Sequence, residues 1–169
     1  MGKQNNTEHN YNKRDVSLEN LIAQVECANT KNYIQNRILQ QMEWYSRKSS
    51  ENKRKYFFWM TSAIILGAMI PVASVFADGA IWVKALIATL GATVAACNSY
   101  ISLHNYKDLW FTYRNTREVL LRILYSYFFD AGVFKKIEEY REKDAILIEL
   151  CEETLSQEVG DWFSLVKKQ

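Results

Sequence analysis

The sequence is poor in the residues that build catalytic sites. It has two histidines, His9 and His104, and three cysteines, Cys27, Cys97 and Cys151. The cysteines are odd in number, far apart and without metal-ligand spacing, so neither a disulfide framework nor a zinc site is indicated, and free thiols are expected. There is no glycine-rich phosphate loop, no Ser/His/Asp arrangement and no metal cluster, which argues against an enzyme and against any cofactor. His9 lies in a polar tail, and His104 stands alone at the end of an apolar stretch, where a structural role is the simpler reading. The net charge of +2 is too near neutral to indicate a nucleic-acid partner. The opening MGKQNNTEHNYNKR lacks the apolar centre of a signal peptide. Asn6 stands where the myristoylation motif requires Ser or Thr.

The most informative absence is of charge. Residues 56–76, YFFWMTSAIILGAMIPVASVF, carry none, and residues 81–103, IWVKALIATLGATVAACNSYISL, carry one, Lys84. Each run is long enough to cross a hydrocarbon core of about 30 Å as a helix. In lipid a helix is the only way for a single segment to satisfy its own backbone. Asp78-Gly79 is a turn signal between them, short enough to force an antiparallel hairpin. A soluble chain with two buried helices is the competing reading, and low overall hydropathy leans its way. The flanks answer it. Arg37, Arg47, Lys48, Lys53, Arg54 and Lys55 precede the first run, and Lys107, Arg114, Arg117 and Arg122 follow the second. Basic flanks stay on the cytoplasmic side, so both termini are expected there. Tyr56, Phe57, Phe58 and Trp59 with Tyr100 and Tyr106 would form the inner aromatic belt, and Trp82 the outer one.

The expected architecture is an all-α membrane protein, a two-transmembrane hairpin whose long helices extend into a cytoplasmic helical bundle. The organisation is a disordered polar tail over 1–14, cytoplasmic helices over 15–55, the hairpin over 56–103, and a helix extension with a returning C-terminal helix over 104–169. Asp15 or Ser17 would cap a first helix carrying Leu18, Leu21, Ile22 and Val25, and Thr30 the next. Ile34, Ile38, Met42 and Tyr45 then recur at helical spacing, predicting one helix over 31–76. Tyr106, Trp110, Tyr113, Arg117, Leu120, Leu124 and Tyr127 continue the second run, predicting one helix over 81–129, roughly 70 Å long. Asp130-Ala131-Gly132 is a stop, and a last amphipathic helix is expected from Phe134 to about Lys167, with Ile137, Tyr140, Leu147, Leu150, Thr154 and Trp162 along one face. Trp44, Tyr45, Trp110, Tyr113 and Trp162 are the expected cytoplasmic packing core.

At 100° per residue the second run divides. Lys84, Ala88, Gly91, Ala92, Ala95, Asn98, Ser99 and Ser102 share one side. Trp82, Val83, Leu86, Leu90, Val94, Cys97 and Ile101 share the other, which reads as the lipid side. Ala63, Gly67 and Ser74 form a smaller stripe on the first run, and Pro71, which removes a donor to the Gly67 carbonyl, marks a hinge with Gly67. The small or polar face is either a close-packing helix seam or the lining of an aqueous path. Two helices cannot enclose a pore, so a path requires several copies around an axis.

The pieces Trp44-Tyr45-x-Arg47-Lys48, Asn52-Lys53, Tyr56, Ile65-Leu66-Gly67-Ala68-x-Ile70-Pro71, Leu90-Gly91-Ala92, Trp110-x-x-Tyr113-Arg114-x-Thr116-Arg117-Glu118-x-Leu120, Phe134, Glu158 and Trp162 occur in that order. In this the chain resembles the SLATT superfamily of bacterial two-transmembrane proteins, in a branch of unassigned function. The resemblance covers about residues 35–163. It implies a homo-oligomeric pore-forming or membrane-perturbing effector of a bacterial defence or conflict system, in the inner membrane, switched by a nucleotide signal. The chain carries no fused sensor or nucleotide-making domain, so the signal would arrive in trans, from a cytoplasmic sensor protein or a diffusible nucleotide. The alternative is a membrane-anchored helical scaffold that docks a cytoplasmic partner without conducting ions.

Overall fold

The computed structural model describes residues 18–76 and 81–167; the side chains at 158, 159 and 161–167 lie outside the described residues. The expectations for the N-terminal tail, the caps Asp15 and Ser17, the Asp78-Gly79 turn, and the side chains of Glu158 and Trp162 fall outside it. Among the described residues the chain is helical apart from short connections, without a strand. A short helix, α1, covers residues 18–23. The long helix α2 runs Ala28–Ser74 and contains a π-helical segment, Ile34–Leu39. Helix α3 runs Ile81–His104, α4 Tyr106–Phe128 and α5 Tyr140–Lys167, with a 3-10 turn at Gly132–Lys136 between the last two. Two stretches, within α2 and α3, are long and apolar enough to cross a membrane. All three cysteines are free.

The structure corrects three boundaries. Thr30 is not a cap: α2 begins one turn earlier, with Cys27 at the N-cap, and Thr30 is buried inside the helix, where its hydroxyl donates to Asp144 at 2.6 Å. The helix expected over 81–129 is interrupted at Asn105, whose φ is +44°. Asn is one of the few non-glycine residues that adopts this left-handed conformation readily, so the sequence holds no proline or glycine to announce the break. The last helix starts at Tyr140, after the 3-10 turn, and not at Phe134. Its inward stripe is Leu147, Cys151 and Leu155, not Tyr140, Leu150 and Thr154; Tyr140 is exposed. The stop at Asp130-Ala131-Gly132 is present, with positive φ at both Asp130 and Gly132.

The chain divides into two compact units, one of Met1–Trp44 with Thr116–Gly160, the other of Tyr45–Asn115 with Asp161–Gln169. The first has the larger core. Ile22, Ile34, Ile38, Leu120, Leu124, Leu147 and Cys151 are fully buried, and Phe134 nearly so. These positions recur every three or four residues within their helices, so each helix presents one apolar stripe inward. Removing one such Leu side chain to Ala costs about 2–5 kcal/mol.

The second unit holds the hairpin. On α2 the less exposed positions include Tyr56, Trp59, Ala63, Leu66, Ile70 and Ala73, beside Ser62 and Gly67. On α3 they include Val83, Ile87, Leu90, Val94, Cys97 and Ile101, beside Gly91 and His104. The first-named six positions of each helix alternate in steps of three and four, the 3.5-residue repeat of side chains that interlock between two helices. Trp59 meets Tyr100 across the seam, with ring centroids 4.8 Å apart.

Candidate functional site

The seam changes the reading of the α3 faces. Val83, Leu90, Val94, Cys97 and Ile101, expected on the lipid side, lie instead on the side that packs against α2. Only Trp82 and Leu86 of that group stand exposed, at 75% and 53%. The opposite face turns away from the chain. Lys84, Ala88, Ala92, Ala95, Asn98, Ser99 and Ser102 are all exposed, and Gly91 is half-exposed. This face is therefore not the seam within one chain.

Between Leu86 and Leu103, every exposed α3 residue except Tyr100 is Ala, Thr, Asn or Ser. The outward side of the α2 apolar stretch is the reverse, with Phe57, Phe58, Met60, Ile64, Ile65, Met69 and Val72 exposed. The two helices thus present opposite surfaces. Bulky apolar side chains suit lipid; small and polar ones suit another helix or water. The Thr89 and Thr93 hydroxyls donate to the carbonyls of Ala85 and Thr89, at 2.9 and 2.8 Å, so they are satisfied within the helix. The Asn98 amide has no such local partner.

Close approach does not explain the glycines. A Cβ built on Gly67 or on Gly91 meets nothing within 4 Å. Ala63 of the first small stripe is buried in the seam, while Ser74 is exposed and donates to the Pro71 carbonyl at 2.7 Å. Helix α2 continues through Pro71 and ends three residues later, which puts the missing donor in its last turn.

An aromatic and cationic collar surrounds the Asn105 break. His104 lies over Tyr100 at 4.1 Å and stacks on Tyr106 at 5.1 Å, and the Tyr106 hydroxyl donates to that of Tyr100 at 3.3 Å. Lys55 sits over Tyr106 and Lys53 over Trp110, at 5.9 and 5.3 Å. The Ser49 hydroxyl donates to the Trp110 carbonyl at 3.3 Å, and Phe57 packs edge-on against the Trp110 ring. Of the expected packing core, Tyr45 and Tyr113 are buried with centroids 6.0 Å apart, Trp110 is half-buried, and Trp44 is 37% exposed. Trp162 lies outside the described side chains.

Sequence reasoning missed a polar cluster in the first unit. Glu152 accepts from Arg37 and Tyr33, and Asp144 accepts from Tyr127 and Thr30. Burial, and then the hydrogen bond to the carboxylate, pushes both the Tyr33 and Tyr127 phenols well above their ordinary range. Each oxygen of both carboxylates accepts at least one hydrogen bond, and among the described residues no group of His, Cys, Asp and Glu could hold a metal ion. The cluster fastens helices.

Residues 40–142 match the model of a family described as protein of unknown function (DUF4231), a match over more than half of the chain. No curated protein and no solved structure matches.

Proposed function

We propose that this chain, which belongs to the DUF4231 family, is a membrane subunit that assembles with copies of itself around a path lined by the outward face of α3. The observation that carries the reading is the contrast between the two apolar helices. α2 shows mostly bulky apolar side chains outward, and α3 between Leu86 and Leu103 shows, apart from Tyr100, only Ala, Thr, Asn and Ser. A surface of that kind is poorly matched to lipid, and the Asn98 amide is satisfied where another chain or water meets it. Ala88, Ala92 and Ala95 form the narrow apolar part, closed by dewetting until the helices move. Asn105 and Pro71 bound that part as points where a helix can bend.

In this reading the hairpin spans a bacterial inner membrane with both termini cytoplasmic, as the basic flanks argue. The order of motif pieces supports placing the family within the SLATT superfamily, and with it an effector role in defence, triggered in trans by a sensor protein or a nucleotide. Exposed Phe129 and Val133 in the first unit, at 66% and 60%, favour the second reading, an anchored scaffold docking a partner without conduction.

Dye release from liposomes carrying the purified full chain separates the two. The pore reading expects release that rises when Ala95→Asp makes the narrow part easier to wet, and that stays unchanged for Val72→Ser on the lipid side. A protein that inserts, stays monomeric and never releases dye is a scaffold.

A further inference from the structure

Along the two described helical stretches of the hairpin the charges are all of one sign. From residue 52 to 76, and again from 81 to 107, the described chain contains Lys53, Arg54, Lys55, Lys84 and Lys107 and no Asp or Glu. Asp78, between the two stretches, is the only acidic residue from 52 to 107 and lies outside the described residues. Four of the five cations stand at the end of the hairpin that carries the aromatic collar. The fifth, Lys84, is one turn inside the opposite end of α3, exposed, on the same line of the helix as Gly91, Ala95, Asn98 and Ser102.

We infer that the path lined by α3 is selective for small inorganic anions, with Lys84 the residue that sets the selectivity. The inference rests on the assembly proposed above. Closing several copies around an axis turns Lys84 into a ring of ammonium groups at one mouth, and rings of Lys or Arg are the side-chain device by which pores favour anions. The walls between the mouths add amide and hydroxyl groups and no carboxylate, so no opposite formal charge along α3 compensates a cation that enters. The other mouth is net basic as well, with Lys53, Arg54, Lys55 and Lys107 against Asp108. A passage walled by low-dielectric protein and charged with one sign concentrates the opposite ion, on the order of tenfold or more. Lys84 makes no ion pair among the described residues that would remove it from this role.

The test is the reversal potential of the full chain in a planar bilayer of neutral phosphatidylcholine, under a potassium chloride gradient. Neutral lipid keeps membrane charge from biasing the ion. The wild type is expected to reverse on the chloride side of zero, with chloride favoured over potassium by about tenfold. Lys84→Arg should leave this unchanged, Lys84→Gln should reduce the ratio several-fold, and Lys84→Glu should move reversal toward potassium. A conducting wild type that favours potassium overturns anion selectivity, and a Lys84→Glu variant that conducts with an unchanged ratio overturns the role of Lys84; either result leaves the pore standing. A chain that inserts and carries no current overturns both.

Discussion

Arg37 grips Glu152 with two hydrogen bonds across 115 positions of sequence, from Nε to Oε1 at 3.2 Å and from a terminal guanidinium nitrogen to Oε2 at 3.1 Å. The Tyr33 hydroxyl donates to the same Oε1 at 2.9 Å. The pair fastens α5 to the π-helical segment of α2, where Arg37 lies. The guanidinium holds the Glu152 carboxyl below its usual range, with the Tyr33 hydrogen bond adding to the effect. A lowered folded-state value means that the stabilisation is present above the ordinary carboxyl range, near 4.3, and is lost as pH falls through the folded value. Both side chains are about half exposed, at 50% and 42%, so the contribution is modest. Glu152→Gln is expected to lower stability by about 0.5–1 kcal/mol at pH 7. It should also flatten part of the fall in melting temperature below about pH 4.5. Parallel acid curves for variant and wild type would show that the pair contributes nothing.

Asp144 gives the larger effect. It accepts 2.6 Å hydrogen bonds from both Tyr127 and Thr30, which are buried, while Asp144 itself is half-buried. Asp144→Ala strands two hydroxyls, at about 1–3 kcal/mol each where they remain dry. A melting temperature unchanged in Asp144→Ala would mean that water replaces the carboxylate without loss.

The thiols should separate by access. Cys27 is exposed, while Cys97 and Cys151 are buried. Burial pushes the Cys151 thiol up to about 12. A raised value favours the folded state fully below the unfolded thiol range, near 8.5, and that advantage is lost as pH rises toward the folded value. A maleimide at pH 7 is therefore expected to label one cysteine quickly, Cys27, and the other two only on denaturation. Fast labelling of Cys151 in the native protein would contradict the packing of α5.

Asn105 should accept glycine and little else. Its φ of +44° suits Gly at no steric cost, whereas a β-branched residue there is strained by roughly 1–2 kcal/mol. Asn105→Gly is expected to keep the wild-type melting temperature and Asn105→Ile to lower it. Equal stability of the two would mean that the break straightens readily.

The helices were legible because their apolar residues recur at three and four. Leu18, Ile22, Ile34, Ile38, Met42, Leu120, Leu124 and Leu147 are inward in the structure as that spacing requires. The faces of α3 were not, for a geometric reason. A straight wheel of 3.6 residues per turn treats Leu90, Val94, Cys97 and Ile101 only as a bulky side, and bulk alone suggests lipid. Their alternating steps of four and three, matched by Tyr56, Trp59, Ala63, Leu66 and Ile70 on α2, are the sequence signal of a helix seam. The Arg37–Glu152 and Thr30–Asp144 contacts left no trace in the sequence, because nothing local ties partners more than 100 positions apart. The Asn105 break was silent because asparagine is common in helices and at breaks alike.

The central claim, that the outward face of α3 meets other copies around water and not lipid, is tested most directly by cysteine access in the membrane. Single cysteines at Ala88, Ala92, Ala95 and Asn98 of α3, and at Ile65, Met69 and Val72 of α2, would be made in a background lacking Cys27, Cys97 and Cys151. The protein would be reconstituted in lipid, treated with a small water-soluble thiol reagent and examined for disulfide-linked dimers after mild oxidation. Labelling or cross-linking confined to the α3 positions is the predicted result. Equal protection of both sets, with no cross-linked product, would contradict it.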